Sequence, residues 1–133
     1  MKASATFTLK SWDEKTWDGQ GYTEVTGRKL THTSVAYTYQ GELAGESMLH
    51  YLMFYREDGS GASIGLEQVT GSLGGRSGSF VLQHHGAFTS DRVQGDFSII
   101  SGSGTGDLVG LRGAGILAVA GEPWSLTLDY DFE

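Results

Sequence analysis

The sequence predicts a single all-β domain over residues 1–133, with about eight antiparallel strands meandering as a sandwich or a barrel. Three observations carry this. Apolar and polar residues alternate at period two along most of the chain, the signature of half-buried strands. No window repeats apolar residues at helical spacing, and 21 glycines in 133 residues work against helices. Clusters of turn-forming residues recur between the alternating runs, at the spacing of a strand meander.

The elements follow in order. Ala5, Phe7 and Leu9 alternate with Thr6, Thr8 and Lys10 in a first strand. Residues 13–27 read as a long loop crossing one end, around Trp17-Asp18-Gly19-Gln20-Gly21. Val35, Tyr37 and Tyr39 share one face of a second strand, which Gln40-Gly41-Glu42 ends. The run from Met48 to Tyr55 is apolar or aromatic on both faces, as a strand covered on both sides would be. In a barrel its outer face meets a covering loop or another subunit, so a homo-oligomer is one expectation and a wide apolar exterior the other. Asp58-Gly59-Ser60-Gly61 and Gly74-Gly75 are turns that bracket the next strand. After Ser90-Asp91, Val93, Phe97 and Ile99 fall on one face. After Ala120-Gly121-Glu122-Pro123, Trp124, Leu126, Leu128, Tyr130 and Phe132 do the same.

Bulk composition excludes several classes. The net charge of −7 argues against binding nucleic acid, whose affinity comes from Lys and Arg displacing counterions. The nine basic residues are scattered rather than gathered on a face. There is no Cys, hence no disulfide framework and no thiolate metal site, and a reducing cytoplasm suits the chain. The N-terminal run MKASATFTLKSW has no apolar core of a leader peptide, and no window reaches the ~18 apolar residues of a membrane helix. A cytoplasmic protein without membrane partners is the expectation.

Three motifs fail on their context. Gly61-Ala62-Ser63-Ile64-Gly65 matches the nucleophile elbow, but that elbow needs a helix behind the serine and none is predicted. Gly102-Ser103-Gly104-Thr105-Gly106 lacks both the third glycine of a dinucleotide loop and the Gly-Lys-Ser/Thr of a phosphate loop. His84 and His85 are adjacent, so in a strand they face opposite ways and do not share an ion. No metal and no cofactor are expected.

The segment GLEQVTGSLGGRSGSFVLQHHG, residues 65–86, carries the candidate chemistry. A two-residue turn at Gly74-Gly75 pairs Leu73 with Arg76, Val69 with Phe80 and Glu67 with Leu82. Glu67, Val69, Phe80, Leu82, His84 and Phe88 then share one face, with His84 diagonal to Glu67. A carboxylate on an apolar face is costly unless paired or protonated. Glu67 and His84 are therefore candidate catalytic residues, an acid/base pair. A structural hydrogen bond inside the domain and a solvent-facing Glu67 are the competing readings. An even-length loop after Glu57 would bring His50, Leu52 and Phe54 onto the face of Glu67. An odd loop or a bulge would bring Tyr51, Met53 and Tyr55. The phenols of Tyr51 and Tyr55 would orient a ligand, or simply pack with the hydroxyl at the rim.

SWDEK, YLMFYREDGSG, GLEQVTGSLGGRSGSFVLQHHG, SGSGTGDLVGLRGAG and LDYDFE together resemble a bacterial family of unassigned role, known as domain of unknown function 3224. The resemblance spans essentially the whole chain, with the blocks in the family's order. That family resembles the eight-stranded barrel of plant allene oxide cyclases and dirigent proteins. Gly104-Thr105-Gly106-Asp107-Leu108, with Gly110-Leu111-Arg112-Gly113, is similar to a motif near the end of those barrels. The resemblance implies that this segment is a turn and strand closing the barrel. It also implies a mostly apolar cavity, and a buried carboxylate beside it, a part Glu67 would take by analogy of fold alone.

The reading that results is one closed antiparallel barrel that binds a small apolar organic molecule in its interior. Glu67 and His84 are its polar groups, and Tyr51, Tyr55, Phe80 and Leu82 contact the ligand. Any reaction would be proton transfer, cyclisation or isomerisation without a cofactor. The alternative is a non-catalytic carrier or interaction module acting as an oligomer.

Overall fold

Eight strands follow one another around a ring: β1 (Lys2–Thr16), β2 (Lys29–Gly41), β3 (Leu43–Tyr55), β4 (Gly61–Leu73), β5 (Arg76–Phe88), β6 (Val93–Ile99), β7 (Leu111–Val119) and β8 (Trp124–Phe132). Each pairs antiparallel with its sequence neighbour, and β8 returns to pair with β1 from Lys2↔Asp129 to Phe7↔Trp124. The ring therefore has no open edge. The computed structural model describes residues 1–21, 25–89, 93–119 and 124–133, with residues 117–119 described as backbone only. The expected turns at Ser90-Asp91 and at 120–123 lie outside the described residues. Among the described residues the only helical piece is a 3-10 turn, Gly106–Leu108, and no helix is long and apolar enough to cross a membrane.

The β4–β5 hairpin has the register that its turn residues dictate. Gly74 and Gly75 sit at φ +58° and +86°, the left-handed pair that a two-residue turn needs between twisted strands. Leu73 faces Arg76, Val69 faces Phe80 and Glu67 faces Leu82. Between β3 and β4 the connection is five residues long, 56–60, with Asp58 Oδ1 accepting from the Ser60 amide at 2.9 Å. That odd length puts Tyr51, Met53 and Tyr55 inside with Glu67, and leaves His50, Leu52 and Phe54 outside.

Two expectations about β1 are corrected. Residues 13–16 are strand rather than loop, pairing with β2 through Thr16↔Thr31. The physical reason is a bulge between Leu9 and Ser11, where one extra residue reverses the alternation. Before it Ala3, Ala5 and Phe7 are buried; after it Glu14 and Thr16 are. Leu9, standing at the bulge, is 43% exposed instead of sharing the buried face of Phe7. A turn does follow at 17–19, where the Gly19 amide donates to the Thr16 carbonyl at 2.9 Å.

Glycine has a volumetric role inside the ring. Four inward glycines stand directly opposite an aromatic residue on the next strand: Gly61 opposite Phe88, Gly65 opposite Tyr51, Gly113 opposite Tyr130 and Gly115 opposite Phe97. A Cβ at Gly65 would come within 2.8 Å of the Tyr51 ring, and one at Gly115 within 2.6 Å of the Phe97 ring. These rings lie over the bare backbone of their partners, which lets large side chains fit a narrow barrel.

The two ends differ. At the Gly74-Gly75 end, Leu43, Leu73, Leu108, Leu111 and Leu128 are almost fully buried and fill the interior. Leu108 comes from the 3-10 turn, which is clamped to β5 by Thr105: its amide donates to the Ser79 carbonyl at 2.8 Å, and its hydroxyl accepts from the Ser79 amide at 3.0 Å. The segment 104–108 is thus a plug and turn leading into β7. At the opposite end, which carries the 56–60 connection, the described residues leave a hollow. On the outside, Met48 and Leu52 of β3 and Ile64 and Leu66 of β4 are each about half exposed, which explains why β3 reads as apolar on both faces.

Candidate functional site

Alternation along β4 and β5 turns Glu67 and His84 inward, to 0% and 6% exposure. His84 Nε2 and Glu67 Oε1 lie 2.7 Å apart in a hydrogen bond. The second carboxylate oxygen, Oε2, accepts from the Tyr39 hydroxyl at 2.6 Å. Both oxygens of Glu67 are therefore partnered, which is what allows a carboxylate to sit at full burial. His85 points outward, where Nδ1 lies 3.9 Å from Asp96 Oδ1. The two adjacent histidines face opposite sides of the wall.

Three phenols surround the pair. Burial first, and the charge of Glu67 second, push the Tyr37 hydroxyl well above the ordinary phenol range. Tyr39 is raised by burial, then by the charge of Glu67 and the hydrogen bond to it. Tyr51 is raised by burial, then by Tyr37 and Glu67. All three stay protonated at physiological pH, and Tyr39 donates to Glu67. Tyr51 also packs edge-on against His84, ring centres 6.0 Å apart.

Above this cluster a cavity of about 370 Å³ opens at the hollow end. Tyr37, Tyr51, Tyr55, Phe7, Trp12, Phe88 and Trp124 supply aromatic walls, and Met53 and Val93 add aliphatic surface. Tyr51 belongs both to the cavity wall and to the surroundings of His84, so it joins the two. Of the residues expected to contact a ligand, Tyr51 and Tyr55 line this cavity. Phe80 and Leu82 do not: both are 1% exposed and belong to the packed core. Their alternation is inward as expected, but they lie toward the filled end, where no space remains.

A second polar cluster in the wall went unread in the sequence. Glu14, 7% exposed, accepts at Oε2 from the Thr31 hydroxyl at 2.7 Å and from the Tyr55 hydroxyl in a short bond. Its Oε1 accepts from the Trp12 indole N–H at 3.2 Å. Three donors on one carboxylate is the arrangement of an acceptor-only group. The bulge that turns Glu14 inward has no clear sequence mark, so residues 13–16 read as loop from sequence alone. Tyr39 was legible as an inward residue of β2, but its partner on β4 was not.

The failed motifs have structural roles. Ser63 lies within β4 at the cavity wall, with strand rather than helix following it. Among the described residues no group of three or more His, Asp or Glu side chains is arranged to hold a metal ion.

This architecture has a counterpart in a crystal structure of a protein of unknown function from the DUF3224 family of Shewanella oneidensis MR-1. The two share 30% sequence identity and superpose with a TM-score of 0.81, over 100% of this chain and 98% of that one. A comparison with curated proteins found no match. The family model described as "Protein of unknown function (DUF3224)" matches residues 3–130. The chain belongs to the DUF3224 family.

Proposed function

We propose that the barrel binds a small, mainly apolar organic molecule in the cavity at its hollow end, with Tyr51 and Tyr55 as ligand-contacting groups. The observation that carries this is the contrast between the two ends. One is packed solid with leucines, whereas the other keeps about 370 Å³ walled by aromatic rings, within the size range of small-molecule sites. Such a volume also matches what an eight-stranded barrel can hold.

The chemistry this arrangement favours beyond binding is proton transfer without a cofactor. Glu67 and His84 share a hydrogen bond in a dry interior, and a proton gained by one is felt at once by the other. Tyr51 stands between that pair and a bound molecule, so it is the group that would touch the substrate. The analogy to allene oxide cyclase-like barrels agrees with an isomerising or cyclising role, as an argument from fold.

The test is a titration of intrinsic fluorescence with neutral lipophilic probes, in a Trp17→Phe background so that Trp12 and Trp124 report. Saturable quenching that disappears on filling the cavity with Ser63→Phe is expected. Quenching that survives the filling would place the probe elsewhere and sink the proposal.

A second reading has its own support. The exposed Leu52, Ile64 and Leu66, with Met48 diagonal to Leu66, form an apolar patch on neighbouring strands, suited to association between copies of the chain. Light scattering of Leu66→Glu against the parent separates the readings. A drop in assembly size with unchanged probe binding assigns the patch to oligomerisation alone.

A further inference from the structure

The cavity's walls carry an electrostatic preference that its apolar character conceals. Seven of its lining residues are aromatic, and its only charged lining residue among those described is Glu14. Ring faces are regions of negative potential, and they attract cations most strongly where water is excluded. Glu14 is held in the wall by Thr31, Tyr55 and Trp12 rather than by a cation. Among the described residues, the partners of the Glu14 carboxylate are hydrogen-bond donors and none is a cation.

A second carboxylate adds to the same field. Glu67 lies behind Tyr37 and Tyr51, deep in the barrel, and its charge contributes to holding both phenols protonated. A ligand anion entering the cavity would meet a carboxylate in the wall and, where Glu67 is ionised, a second one beneath the floor. Among the described residues, Lys29 carries an ammonium near this wall, 5.0 Å from the centre of the Tyr55 ring. It donates to the Val25 carbonyl at 3.0 Å and is not among the cavity's lining residues. That contact also shows one of the cavity's own aromatic residues already engaging a cation.

We propose that the ligand class of this cavity is an organic cation, a protonated or quaternary amine on an apolar body, selected by the aromatic walls together with Glu14. This rests on the cavity being a binding site, and it narrows that site to one charge type. The apolar body would occupy the space between Phe7, Phe88 and Trp124, with the ammonium turned toward Tyr55 and Glu14.

Three matched probes test it: naphthylmethyl-trimethylammonium, its neutral neopentyl-naphthalene analogue, and naphthylmethylsulfonate, each titrated against Trp fluorescence in the Trp17→Phe protein. The ammonium should bind about tenfold more tightly than the neutral probe, and the sulfonate more weakly than either. Glu14→Gln should bring the ammonium to within about threefold of the neutral probe. The neutral probe's own affinity should stay at its parental value, which also reports that the variant's cavity is intact. If Glu14→Gln weakens all three probes alike, leaving the ammonium preference at its parental ratio, Glu14 does not select charge and that part of the assignment falls. Equal or tighter binding of the neutral probe overturns the cation assignment and leaves the binding site standing. Binding of none of the three overturns both.

Discussion

The carboxylate of Glu67 shows what a single residue demands of a barrel interior. At 0% exposure it is tolerable because His84 and Tyr39 partner both oxygens. Removing one partner should therefore cost more than removing the whole cluster. His84→Leu is expected to lose about 3 kcal/mol in a denaturant melt, since a buried carboxylate loses its ionisable partner. Replacing all three as Tyr39→Phe, Glu67→Leu and His84→Leu should cost distinctly less. A triple variant weaker than the single one would mean that packing, not pairing, governs the site. Ser47 offers the opposite case. Its hydroxyl is the one buried side-chain polar atom without a hydrogen-bond partner among the described residues. Ser47→Ala should raise stability by up to about 1 kcal/mol, measured as a shift of the urea midpoint.

Between residue and molecule, the strands decide which side chains meet. The facing of Glu67 and His84 was readable in the sequence because Gly74-Gly75 fixes a two-residue turn, and from it every pair on β4 and β5 follows. The facing of Tyr51 and Tyr55 was not, because it depends on whether the loop after Glu57 is even, or odd or bulged, which the sequence leaves open. Glu14 was invisible for a related reason. A bulge is one inserted residue with no required residue type, and it reverses all side chains beyond it. The filled end escaped as well: Phe80 and Leu82 face inward, but only the plug at Leu108 settles that their end is closed. The opposed glycines and rings give this scale its own test. Gly65→Ala should drive a methyl group against the Tyr51 ring and lower stability by about 1–3 kcal/mol. Probe affinity should fall with it. A variant that keeps full affinity would show that Tyr51 is not a wall of the binding space.

For the whole molecule, three of the six tyrosines, one buried and two partly buried, form a set that resists ionisation. Their folded values lie above the ordinary phenol value of 10.0, so the unfolded chain gives up these protons first. The stability they contribute is complete below about pH 10 and is lost as pH rises beyond it. Unfolding free energy should decline above pH 10, by up to about 1.4 kcal/mol per pH unit for each phenol. Tyr51→Phe should make that decline shallower; an unchanged slope would mean its hydroxyl already titrates freely. The barrel as a whole thus combines a packed end, a buried polar middle, and an end that the described residues leave hollow.

The three tryptophans are placed to report on the hollow end. Trp12 and Trp124 line the cavity, whereas Trp17 is 63% exposed and outside its lining. The most direct measurement follows the three indole N–H signals by nitrogen–proton NMR during titration with the neutral naphthalene probe. Binding in the cavity predicts saturable shifts at Trp12 and Trp124 with Trp17 unmoved. Shifts confined to Trp17, or none at saturating probe, would contradict it.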